Sequence, residues 1–166
     1  MKKNIIIITF FLIISVGCSN CRKSENIVLN FPKVDYFESQ GFFTDLSSTN
    51  KKGYLLTMFD AHCSKCIVQM KEWESFLNDD KNLQKSFDLK FVVSALSKVD
   101  AEFAIDRSSF SHEVFLDIGY HFIDINDYLN PNNNTILIDR NGEVLFVGQF
   151  FHGDQINPCI RRELYD

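Results

Sequence analysis

Between Tyr54 and Phe59 the chain reads Tyr-Leu-Leu-Thr-Met-Phe, and four residues further on a cysteine pair, Cys63-Ser64-Lys65-Cys66, opens a stretch with helical periodicity. A short apolar run with a single polar side chain predicts a strand buried on both faces. In the following stretch Cys66, Met70, Trp73 and Leu77 recur at helical steps and share one face, so a helix is expected from Cys63 to Leu77. Gln69, Lys71, Glu72, Glu74 and Ser75 fall on the other side, and Asn78-Asp79-Asp80 closes the helix. A buried strand running directly into an amphipathic helix needs a second layer on the sheet's far face, which points to an α/β architecture.

The rest of the chain continues the alternation. Leu89 to Ala95 predicts a second buried strand, Asp100 to Phe110 a helix with Ala101, Ala104 and Ile105 inward, Glu113 to Ile118 a short strand and Phe122 to Leu129 a short helix. Thr135 to Asp139 is β-branched and predicts a strand. Arg140-Asn141-Gly142 turns it back onto Glu143 to Gly148, since Asn-Gly is a strong hairpin signal. Asn157-Pro158 suits the cap and first turn of a last helix reaching Tyr165. Lys51-Lys52-Gly53 reads as a turn, Ile27 to Phe31 as an edge strand, and residues 33–50 yield no element. The 17 phenylalanines suffice to fill a core without disulfide staples.

The beginning of the chain has a different character. Lys2 and Lys3 precede an apolar run from Ile5 to Ile14, and Ser15-Val16-Gly17-Cys18 ends it. This is the three-part layout of an export signal, and the run is too short for a membrane-spanning helix. Its end resembles a bacterial lipoprotein cleavage box, with Gly17 before Cys18 and Ser15 where leucine is usual. The division expected is a lipoprotein signal peptide over residues 1–17, a tether and N-terminal segment over 18–45, and one domain over 46–166. Cys18 is then the lipid attachment point, and the alternative is an ordinary cleaved signal. The domain would work in the cell envelope, facing the periplasm or exterior, where disulfides persist. A net charge of −5 with no basic stripe excludes nucleic acid as a partner.

Cys63 and Cys66 are the motif with chemical content. The first backbone N–H groups of a helix are unpaired and its dipole is positive there, so a thiolate at Cys63 is favoured, with Lys65 adding charge nearby. Cys66, one turn further and on the apolar face, is expected to be less exposed. Cys63 would attack a disulfide and Cys66 would resolve the mixed disulfide. The other readings of the pair are a structural disulfide or half of a zinc site, although a zinc ribbon needs two such pairs. His62 is a candidate hydrogen-bond partner or general base, or an exposed loop histidine. Asp60 is either a proton-handling carboxylate or a solvated one. Cys21 and Cys159 either pair or stay free.

Residues Tyr54 to Leu77 resemble the active-site strand and helix of thioredoxin-like proteins. Thr135 to Gly148, TILIDRNGEVLFVG, is similar to the hairpin of the TlpA/ResA branch of membrane-tethered thiol-disulfide oxidoreductases, and Trp73 after the cysteines resembles small Bacteroidetes thioredoxin-like lipoproteins. The resemblance covers about residues 50–166. It implies a thioredoxin-like three-layer α/β/α sandwich with a central mixed sheet. It also implies a thiol-disulfide oxidoreductase with catalytic Cys63 and Cys66, supported by His62, Lys65 and the loop at Asn133. Its partners would be protein thiols or disulfides and an upstream redox protein, with no cofactor and no resident metal. The chain departs from the family in three places. Asn133 stands where a cis-proline is usual, with Pro131 two positions earlier; Thr57 replaces the buried acid of thioredoxin; His62 replaces an aromatic residue. The missing proline keeps a second class open, a Cu(I)-binding module using Cys63, Cys66 and His62, His112 or His121.

Overall fold

A computed structural model describes residues 50–153 and 155–165. The export signal, the tether with Cys18 and Cys21, and the edge strand expected at Ile27 to Phe31 lie outside the described residues. Twelve elements follow in order: β1 (Gly53–Asp60), α1 (Ser64–Asp79), α2 (Lys81–Ser86), β2 (Phe87–Ala95), α3 (Lys98–Ser108), β3 (Val114–Ile118), α4 (His121–Ile125), β4 (Thr135–Asp139), β5 (Val144–Gly148), β6 (Phe151–His152), β7 (Gln155–Ile156) and α5 (Pro158–Tyr165). The first five strands form a mixed sheet in the order β3-β2-β1-β4-β5. β1 pairs parallel with β2 and antiparallel with β4, so the run Leu55 to Phe59 sits at the centre and is buried throughout.

Alternation along the strands sends side chains to two cores. On one face Leu55, Phe59, Phe91, Val93 and Leu137 pack against Cys66, Met70, Trp73 and Leu77 of α1, Ala101 of α3, and Ile160 and Leu164 of α5. On the other, Leu56, Met58, Val92, Ile136 and Ile138 meet Phe122 of α4 and Leu129 in the loop after it. The α/β/α layering expected from the sequence is therefore present. Trp73 anchors the first core: its ring lies 4.0 Å from Phe150 and 5.3 Å from Phe91 by centroids, with Phe76 and Phe151 meeting it in T-shaped contacts.

Several sequence expectations are corrected. Gly53 is not a turn residue but the first of β1; a Cβ there would run into the carbonyl oxygen of Ile138 on the neighbouring strand, so the position demands glycine. Gln69, assigned to the solvent side of α1, is buried. The helix expected to reach Leu129 spans His121–Ile125 only, because the Asn126 side chain turns back to the carbonyl of Phe122 and ends it, although Leu129 is still buried. α2 has no helical period long enough to read, and starts on an Asp80 cap whose carboxylate accepts from the Asn82 N–H. The small β6–β7 ribbon lacks any apolar run.

Truncating Trp73 to alanine should lower stability by about 3–5 kcal/mol, because a fully buried aromatic leaves a cavity lined by other rings. Phe103→Ala, at a position 62 % exposed, should change it by no more than about 0.5 kcal/mol. Urea unfolding of the two variants side by side checks the assignment of the core.

Candidate active site

The site is built where β1 gives way to α1. Asp60 ends the strand, Ala61 N–H donates to the Ser94 carbonyl of β2, and Cys63 N–H donates back to the Asp60 carbonyl. Cys63 is the N-cap of α1, and its carbonyl accepts the first helical bond from Ile67. Its side chain makes no capping bond, and the N-cap position that a hydroxyl or carboxylate usually fills is held by a thiol. Both cysteines are free thiols; Cys63 is half-buried and Cys66 wholly buried in the first core.

Burial pushes the Cys66 thiol up to about 12. A backbone hydrogen bond from Asp60 offsets part of that rise, while the Cys63 sulfur, through a hydrogen bond and its charge, and the Asp60 carboxylate add to it. Cys66 therefore holds its proton at neutral pH, chiefly because it is buried.

The supporting residues are placed as follows. Lys65 Nζ donates to Asn132 Oδ1 at 2.9 Å, linking the first turn of α1 to the loop before β4. Asn133 is exposed, and its backbone closes a tight turn with Asn130. The described residues contain no cis peptide bond. The neighbouring Asn134 is buried: its carbonyl accepts from Met58 N–H, and its amide donates to the Met58 carbonyl and to Gln69 Oε1 at 3.1 Å. That bond explains why Gln69 faces inward. Thr57, at the position of the missing acid, is buried with its hydroxyl 3.2 Å from that of Thr135.

His62 is 45 % exposed and is not isolated. Its Nδ1 lies 2.9 Å from the Tyr120 hydroxyl, and its Nε2 lies 3.8 Å from Asp100 Oδ2. The Tyr120 hydroxyl in turn donates to Asp60 Oδ1 at 2.8 Å, and the His62 N–H donates to the same oxygen. Burial, then the bond to Asp60 and the charges of Asp60, Asp100 and Asp117, push the Tyr120 hydroxyl well above its ordinary value. Tyr120, Asp100, Asn134 and Gln69 were not foreseen from the sequence. They come from four separate segments, and only the run Asn132-Asn133-Asn134 hinted at a polar loop. His112 sits 3.8 Å from Glu74, and the His121 ring lies against Gly119. Among the described residues no three His, Cys, Asp or Glu side chains gather as metal ligands. Cys159 is disulfide-bonded, with its partner outside the described residues.

No protein-family model matches the chain, and no curated protein does. Solved structures do. A thiol:disulfide interchange protein from Bacteroides sp. superposes with a TM-score of 0.50 at 19% identity, covering 70% of this chain and 73% of that one. The fold is thioredoxin-like. The thioredoxin domain of a thiol-disulfide oxidoreductase from Bacteroides vulgatus gives 0.49 at 20% identity, over 70% of this chain and 81% of that one. The C-terminal domain of a thiol-disulfide oxidoreductase from Bacteroides thetaiotaomicron, itself described as putative, gives 0.48 at 17%, over 73% and 80%.

Two consequences are measurable. At pH 8 a thiol titrating at about 12 is thiolate to only about one part in ten thousand, so iodoacetamide should modify Cys63 and spare Cys66 in the folded, reduced protein. The linkage has a definite sign: an unfolded Cys66 ionises near 9.0, the folded one near 12, so the unfolded state binds fewer protons between those values. Stability of the reduced protein should fall as pH rises from 9 towards 12; in urea titrations Cys66→Ser should remove the part of that fall between 9 and 10 and leave a fall above 10, where the raised Tyr120 and Tyr128 hydroxyls also contribute.

Proposed function

We propose that this chain is an extracytoplasmic thiol-disulfide oxidoreductase acting on protein thiols and disulfides through Cys63 and Cys66. The observation that carries this reading is the placement of two free cysteines at the start of α1, one half-buried at the N-cap and one buried a turn behind it. The likeness to a thiol:disulfide interchange protein of the same fold supports it.

The chemistry follows from the asymmetry of the pair. The Cys63 thiolate attacks one sulfur of a substrate disulfide, and the other sulfur leaves with the electron pair of the broken bond. Once Cys63 is bonded to the substrate it carries no charge, and two of the influences that hold the Cys66 proton disappear. Cys66 then ionises more readily and attacks Cys63, releasing the second substrate thiol and leaving Cys63–Cys66 oxidised. An upstream redox partner must restore the dithiol, or remove electrons from it if the flow runs the other way.

The N-terminal sequence supplies the location in this proposal: residues 1–17 are the export signal, Cys18 carries lipid, residues 18–45 tether, and residues 46–166 form the working domain.

Purified reduced protein should reduce insulin disulfides. Cys63→Ser should abolish the activity, and Cys66→Ser should accumulate mixed disulfides visible on non-reducing gels. Insulin reduction that survives in Cys63→Ser removes the mechanism. Expression in a bacterial host with labelled palmitate tests the anchor: the label should appear in the full chain and vanish in Cys18→Ser, which should also become extractable without detergent.

A further inference from the structure

The hydrogen bonds around His62 assign its protons. A tyrosine hydroxyl has one hydrogen to give. Tyr120 gives it to Asp60 Oδ1 at 2.8 Å, an oxygen that also accepts the His62 backbone N–H at 2.9 Å. The 2.9 Å contact between Tyr120 and His62 Nδ1 is then a hydrogen bond only if Nδ1 carries the hydrogen and the phenol oxygen accepts it. Nδ1 is occupied, and Nε2 is left as the nitrogen that gains and loses a proton. It lies 3.8 Å from Asp100 Oδ2 at the first turn of α3, on a side chain 45 % exposed.

The backbone beneath this arrangement is strained. Tyr120 has φ +61° and ψ 22°, a left-handed conformation that costs a non-glycine residue about 1–2 kcal/mol. Such strain persists where surrounding contacts over-determine it, and here the fixed phenol is bonded to Asp60 at the end of β1 and to His62 just after it. The groups facing the His62 ring are Asp60 from the end of β1, Asp100 from α3 and Tyr120 from the loop before α4. Asp117 of β3 acts on Tyr120 from behind, and the cysteine pair follows His62 along the chain.

We propose that Tyr120 is a positioning residue of the redox site: it keeps a hydrogen on His62 Nδ1, so that the imidazolium gives up its Nε2 proton to the departing substrate thiolate. This rests on the redox reading above and deepens it. In the step, the Cys63 thiolate forms a sulfur–sulfur bond with the substrate, and the substrate disulfide breaks. The departing sulfur keeps the bonding electron pair and takes the Nε2 proton from the imidazolium. His62 is left neutral with its hydrogen on Nδ1, still bonded to Tyr120. Water returns the Nε2 proton for the next cycle. Thr57 cannot serve in this way because its hydroxyl is buried against Thr135.

The test reads tautomer and rate separately. Nitrogen-15 NMR of the imidazole rings in the full protein, above the His62 titration, should find His62 with hydrogen on Nδ1. In Tyr120→Phe, which removes only the hydroxyl, it should revert to the Nε2–H form that free histidine prefers. Exchange with a small disulfide below the His62 titration should slow by about tenfold in Tyr120→Phe and in His62→Ala. The double variant should be no slower than His62→Ala alone. An Nε2–H tautomer in the unaltered protein overturns the proposal, as does a full Tyr120→Phe effect that persists without His62. A protein with the Nδ1–H tautomer but no exchange with any disulfide would instead sink the redox reading, and the donor role with it, leaving the tautomer assignment standing.

Discussion

Ala61 and His62 alone separate the last residue of the central strand from the N-cap of α1, and everything chemical in this molecule depends on how that short passage is pinned. The strand cannot shift, because it is bonded on one side to β2 and on the other to β4. The helix cannot shift, because Cys66, Met70, Trp73 and Leu77 are locked in the core. The passage itself is held by Ala61 to Ser94 and by Cys63 to Asp60. One sulfur is thereby delivered to a helix start at the surface, and the other to a position one turn inside. The difference in burial between two chemically identical thiols is a product of that geometry.

The aromatic core contributes to the same end from below. Trp73 is two turns along α1 from Cys66 and is wedged between Phe91 of β2 and Phe150 after β5. Phe150 and Phe151 come from the segment leading into the β6–β7 ribbon, and Asn157 N–H donates to the Phe150 carbonyl just before α5. The end of the chain therefore braces the helix that carries the cysteines. A rigid helix matters for a dithiol, since resolving a mixed disulfide requires Cys66 to reach Cys63 without rearranging the core around it.

Elements governed by strong periodicity were legible in the sequence. The apolar run at Leu55, the helical face through Cys66 and Trp73, the β-branched strand at Thr135 with its Asn-Gly turn, and the Asn157-Pro158 start of α5 all describe themselves locally. The misplaced residues answer to distant partners. Gly53 looks like a turn until Ile138 is set beside it, and Gln69 looks solvent-facing until Asn134 arrives from the loop before β4. The cysteine pair was readable because both members lie on one helix. Its surroundings were not: Tyr120 is separated from Asp60 by 60 residues, and no local pattern marks a tyrosine in a left-handed turn as a partner for a histidine.

The polar surroundings also bear on why a thioredoxin-like site can lack the buried acid at Thr57. Placing a carboxylate behind a buried thiol is one way to manage its proton, but it carries the cost of keeping a charge in a core. Here the carboxylate nearest the pair is Asp60, at the end of the strand and partly solvated, with its oxygen occupied by Tyr120 and by His62 N–H. A carboxylate so held raises the Cys66 thiol and fixes neighbouring donors. In the proposed reaction, proton traffic falls to the His62 imidazole. The interior is left to apolar packing and to the paired hydroxyls of Thr57 and Thr135, which satisfy each other across adjacent strands.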